Sequence, residues 1–169
     1  CASAERMTIM KLEGEVRNPS GCAISAVISR EGKRMTGESI IHSMIPMHDR
    51  SNGLGGGFAA YGIYPEYREL YAFHIFFDDN TTRRECESIL KEGFGIVQAE
   101  TIPIRIIPEI TDVPLIWRYF VSPLHSVLAR LQLDEKEFVA RTVMELNTRL
   151  KGAYVFSSGK NMGALKAAG

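Results

Sequence analysis

Over residues 22–29, Ile24, Ala26 and Ile28 alternate with Ala23, Ser25, Val27 and Ser29, and this period of two predicts a buried β-strand that opens with Cys22. The polar run Arg30-Glu31-Gly32-Lys33 then reads as a turn. The period lengthens after it. Thr36 serves as a candidate N-cap, and Ile40, Ile41, Met44, Ile45 and His48 recur at helical spacing, which predicts a helix to about Met47 with a buried face. Gly53, Gly55, Gly56 and Gly57 separate this helix from a strand over 58–64. They allow positive φ and close backbone approach, so the loop is either a tight crossover or a wall facing a ligand. It is not a phosphate loop, because the Lys-Ser/Thr ending is missing and the glycines precede a strand rather than a helix.

Residues 69–107 read as strand, helix, strand. The aromatic and β-branched run over 70–77 gives the first strand. Asp79-Asn80-Thr81 caps a helix whose Cys86, Ile89 and Leu90 share a face and which Gly93 ends, and Ile102, Ile104 and Ile106 alternate in the second strand. His74 is read as a side chain on the pleat rather than a ligand, and Cys86 as core. Prolines 103, 108, 114 and 123 bracket a stretch around Trp117 in which short extended pieces are expected. A helix follows over 134–151, capped by Asp134 with Glu137 in its first turn, striped by Val139, Val143, Leu146 and Leu150, and closed by Gly152. Strands over 153–157 and 162–167 complete the pattern, which places the chain in the α+β class.

The chain has 169 residues, enough for one domain with a core that needs no staples. Lysine plus arginine and aspartate plus glutamate number 20 each, so there is no net field to attract nucleic acid or an anionic membrane, and neither is an expected partner. No apolar run approaches the roughly 20 residues that span a bilayer. Cys1, Cys22 and Cys86 are odd in number and widely spaced, which indicates neither a disulfide framework nor a zinc site; a reducing, cytoplasmic setting and no metal or cofactor are expected. Residues 1–21 hold few large apolar groups and read as a leader or propeptide.

Cys22 is the candidate for chemistry. A thiol at the lip of a strand, after the small-residue turn Pro19-Ser20-Gly21, is held by the strand while one side stays open to a substrate; the same position also suits an ordinary core cysteine.

Taken together, Gly21-Cys22-Ala23-Ile24, His48-Asp49-Arg50-Ser51-Asn52-Gly53, Gly55-Gly56-Gly57-Phe58-Ala59-Ala60-Tyr61-Gly62 and Tyr154-Val155-Phe156-Ser157-Ser158-Gly159-Lys160-Asn161-Met162-Gly163 resemble class II glutamine amidotransferases. The likeness is to the stand-alone glutaminase subunit or domain of glutamate synthase, and it runs from about residue 19 onward. It implies an N-terminal-nucleophile hydrolase fold, an αββα sandwich, with 22–169 as the N-terminal portion of the amidotransferase domain and 69–107 as a small βαβ insertion. It further implies that Cys22 attacks the side-chain amide of glutamine and releases ammonia to a glutamate-synthase-type catalytic subunit. Arg50, Asn52 and Gly53 are expected to shape the pocket around Cys22 without attacking. The base would be the α-amine of Cys22, freed by cleavage after Gly21.

Two departures from that pattern bear on activity. Ala23 stands where the family usually has glycine. The arginine that grips the glutamine carboxylate and the Asn-Gly pair of the oxyanion hole are not recognisable in these residues, so a C-terminal half of the domain is an expected partner. The alternative reading is a noncatalytic interaction or regulatory module that keeps the fold.

Overall fold

The computed structural model describes residues 21–50, 55–104, 106, 108 and 111–168. The chain divides into two units, Cys1–Gly56 with Ala167–Gly169, and Gly57–Lys166.

The second unit is built on a four-stranded sheet. Its strands are β2 (Tyr71–Phe77), β3 (Phe94–Thr101), β4 (Leu115–Pro123) and β5 (Ala153–Lys160), in the order β3-β4-β2-β5. Both β2 and β3 run antiparallel to β4, and β5 runs antiparallel to β2. β2 and β3 are therefore parallel, with β4 inserted between them. Helix α2 (Asn80–Gly93) makes the first crossover, and α3 (His125–Leu131) with α4 (Glu135–Arg149) makes the second. A β-α-β-β-α-β path with this spatial order is the split βαβ arrangement of ferredoxin-like domains.

Each crossover helix starts on a side-chain cap. Asp79 accepts from the Thr82 amide at 2.7 Å and Asp134 from the Glu137 amide at 2.8 Å, satisfying amide groups the first turn cannot pair. Alternation along β2 then builds the core. Phe73, Ile75 and Phe77 pack with Cys86 and Leu90 of α2 and with Phe138, Val139 and Leu146 of α4, whereas Ala72, His74 and Phe76 face the other side of the sheet. Gly93 is required where α2 meets α4, since a Cβ there would stand 2.7 Å from the Phe138 ring.

β1 (Gly55–Tyr61) pairs with β6 (Met162–Ala168) in a separate two-stranded sheet, so Gly55, Gly56 and Gly57 form part of a strand rather than the loop before one. Between these strands the chain leaves at Gly62 and returns at Asn161. The Gly62 amide donates to the Asn161 carbonyl at 2.7 Å, and the Tyr64 amide to Asn161 Oδ1 at 2.8 Å. Both turning residues hold left-handed backbone, with φ of +77° at Gly62 and +52° at Asn161. The segment interrupting the β1–β6 ribbon thus runs from residue 63 to 160. Residues 69–107, expected as a peripheral insertion, lie within it, and their β2 is an inner strand of the sheet with β4 on one side and β5 on the other.

The first unit departs from several expectations. Residues 22–29 are extended in pattern only: they form no strand, and Ile24 and Ile28 are 90% and 85% exposed. Alternation assigns faces but not partners, and no strand among the described residues supplies the hydrogen bonds a sheet requires. The next helix, α1, spans Glu38–Met44 and continues as a 3-10 turn over Ile45–Arg50. Its N-cap is Gly37 rather than Thr36, without a side-chain hydrogen bond, and it buries no residue, so the expected buried face is not formed. Ser43 of α1 meets Ser25, Oγ to Oγ, at 2.5 Å.

In the second unit, β3 occupies 94–101 rather than 102–106, and α3 was not signalled at all. The described part of 102–106 carries no strand, although the Ile102 amide still reaches the Ile116 carbonyl at 2.8 Å.

Candidate functional site

Cys22 lies on irregular backbone between the partly buried Gly21 and Ala23, with its side chain exposed. The thiol is open to a reactant but is not carried by a strand. Ala23 adopts no positive φ, since among the described residues the non-glycine ones that do are Gln132 and Asn161, so its Cβ meets no backbone objection there. Arg50 ends the 3-10 turn and is exposed; it shares the first unit with Cys22, but the described contacts do not bring the two together. Asn52 and Gly53 lie outside the described residues.

Cys86 provides the contrast. It is fully buried on α2, and burial, with the nearby Glu87 and Glu85 carboxylates, pushes its thiol up to about 12. A thiol held that far from ionisation is core material and not a nucleophile.

The most connected polar cluster lies in the second unit, on the sheet face away from the helices. His74 stands opposite Arg118 on β4 and Ser157 on β5, and is 4% exposed. Its Nε2 is 2.7 Å from the Tyr64 hydroxyl, which also accepts from Arg118 Nη1 at 3.1 Å. Arg118 is paired with Glu100, its Nε donating to Oε1 at 2.9 Å. Its guanidinium sits 4.8 Å from the centre of the Tyr64 ring. Tyr64 in turn stacks on His74 and meets Phe120 edge-on. Desolvation, together with the Arg118 charge, lowers His74 to about 4, the backbone of Ser157 and Ala72 opposing only in part. His74 Nδ1 is buried without a hydrogen-bond partner.

Sequence reading placed His74 on the pleat but did not find its companions. Tyr64 reaches it from a loop and Arg118 from across the sheet, and neither relation leaves a mark at fixed spacing.

A shallow hollow of about 350 Å³ lies beside the start of α4, lined by Tyr71, Asp134, Glu135, Lys136 and Lys160. Two of its charges are engaged with each other: Lys160 Nζ meets Glu135 Oε2 at 2.9 Å and lies 4.8 Å from the centre of the Tyr71 ring. Among the described residues no cluster of three or more His, Cys, Asp or Glu could hold a metal, and no helix is long and apolar enough to cross a membrane.

No protein-family model matches this chain. It is 44% identical over 155 residues to an uncharacterized protein of Archaeoglobus fulgidus, a match that covers 90% of this chain and 41% of that protein. The chain therefore spans about two fifths of the length of the relative it matches.

Proposed function

We propose that this chain is the N-terminal portion of a glutamine amidotransferase domain, in which the Cys22 thiolate attacks the side-chain carbonyl of glutamine. The C–N bond breaks, ammonia leaves with a proton, and water hydrolyses the resulting thioester to glutamate and free thiol. The observation that carries this reading is the motif set around Cys22, Arg50-Ser51-Asn52-Gly53 and the glycine-rich β1. The open position of the Cys22 side chain is compatible with it. In this reading the α-amine of Cys22, exposed by cleavage after Gly21, takes the thiol proton. Arg50, Asn52 and Gly53 shape the pocket. The αββα sandwich of an N-terminal-nucleophile hydrolase is completed by a downstream half of the domain, which supplies the carboxylate-binding arginine and the oxyanion hole. The ammonia passes to a glutamate-synthase-type catalytic subunit in the cytoplasm.

This chain covers 41% of its relative's length, which is compatible with a further segment taking part. An oxyanion donor is worth about 10²- to 10³-fold in rate, so activity is expected only with that half present.

The test is covalent labelling by a glutamine-analogue electrophile of two forms of the longer protein, one beginning at Cys22 and one retaining residues 1–21 uncleaved. Labelling of Cys22 in the first form alone supports the mechanism. Equal labelling of both removes the α-amine from it, and labelling of neither assigns the protein to the noncatalytic, module-type reading.

A further inference from the structure

The path between the β1–β6 ribbon and the four-stranded sheet narrows to two crossings, one at residues 62–64 and the other at Asn161, and the polar cluster under the first crossing is wired in one direction only. Arg118 is a permanent cation and can only donate to the Tyr64 oxygen, so the Tyr64 proton is free to point at His74 Nε2. That bond needs Nε2 to carry a lone pair, and this puts the neutral ring's proton on Nδ1, where it is buried without a hydrogen-bond partner, so the Tyr64 bond has to outweigh that cost.

Protonation would make Nε2 a donor, and the Tyr64 hydroxyl would then have to turn its own proton away and bridge two cations, the imidazolium and the Arg118 guanidinium. Among the described residues no carboxylate faces the ring to absorb the added charge. β4 presents Arg118, whose own partner is Glu100 of β3; β5 presents Ser157 and Phe156; the crossing presents Tyr64; and β6 approaches through Gly163, where an added Cβ would meet the ring at 3.3 Å.

We propose that Tyr64 and His74 form an acid-released latch that pins the crossing at residues 62–64 to the sheet while His74 is neutral and frees it when the ring takes a proton. This device is independent of any chemistry at Cys22. The low proton affinity of His74 agrees with the geometry, since both desolvation and Arg118 oppose a charged ring. The backbone bonds most exposed to the release are the amides of Gly62 and Tyr64, both donated to Asn161.

The experiment is ¹⁵N NMR of the whole protein between pH 7 and about pH 3, a unit below the point at which His74 takes its proton. At pH 7 the His74 ring should be the Nδ1–H tautomer. As His74 titrates, protection of the Gly62 and Tyr64 amides against exchange, corrected for the intrinsic pH dependence, should fall about tenfold, the worth of one such hydrogen bond, through a local opening insensitive to low denaturant, whereas the Ile75 and Phe77 amides exchange by global unfolding and follow overall stability. Tyr64→Phe keeps the ring against Phe120 but removes the latch; its crossing amides should be poorly protected already at pH 7 and indifferent to the His74 titration. An Nε2–H tautomer at pH 7 would overturn the proposal, as would crossing amides that keep their protection once His74 is charged, or whose exchange shows the same denaturant dependence as that of the core amides.

Discussion

Cys22 and Cys86 carry the same thiol in opposite surroundings, one open to solvent and the other sealed between α2 and the sheet, and substitution should separate them cleanly. Under the proposed reading, Cys22→Ser should abolish glutamine hydrolysis while leaving thermal unfolding unchanged. Cys86→Ser should leave any activity intact and cost about 1–3 kcal/mol, because the hydroxyl is buried among apolar groups; denaturant midpoints read the difference. His74 adds a pH dependence. The unfolded chain takes a proton on this residue near pH 6.5 and the folded chain only near 4, so within that window the unfolded state binds more protons. Stability from this residue is complete above pH 6.5 and falls as pH drops toward 4, by up to about 3 kcal/mol. Urea titrations of wild type and His74→Gln at pH 7 and pH 4.5 should show that extra loss in wild type alone. The identities of Cys22, Cys86 and His74 were legible in the sequence. What surrounds each of them was not, because burial and cross-sheet neighbours are settled by register rather than by local pattern.

The elements readable in the sequence are those whose ends carry their own chemistry. Asp79 and Asp134 announce α2 and α4 because a carboxylate at an N-cap acts within three residues. β3 was misplaced onto the alternating isoleucines at 102–106. The true strand over 94–101 starts directly after Gly93 with no turn residues between, and a register shift between Ile96 and Gln98 breaks its alternation. The 22–29 pattern misled for the opposite reason, a clean alternation without a partner strand among the described residues.

One contact without sequence signature protects the sheet's edge. Asn147 of α4 donates to the Val155 carbonyl at 3.1 Å and accepts from the Val155 amide at 2.7 Å, occupying outward-facing groups of edge strand β5. Asn147→Ala should cost about 1–3 kcal/mol and speed exchange at the Val155 amide specifically. Gly93→Ala should cost about as much through overpacking against Phe138, and a compensating Phe138→Leu should recover part of it, as a double-mutant cycle would measure.

At the scale of the whole molecule, the core formed by the described residues, including Phe73, Phe77, Tyr119 and Leu146, lies within residues 57–166. That stretch, expressed alone, should unfold in one cooperative transition with coincident fluorescence and circular dichroism curves; separate transitions would show that its core depends on residues outside it. The adjacency of Gly62 and Asn161 reaches further. A loop of n residues penalises the strands it joins roughly as the logarithm of n, but a segment that folds by itself and brings its two ends within a hydrogen bond of each other removes most of that penalty. To β1 and β6, the intervening hundred or so residues are therefore equivalent to a tight reverse turn. The whole split βαβ unit could be exchanged for an Asn-Gly dipeptide, or transplanted into another protein's hairpin, without the ribbon registering a change in length.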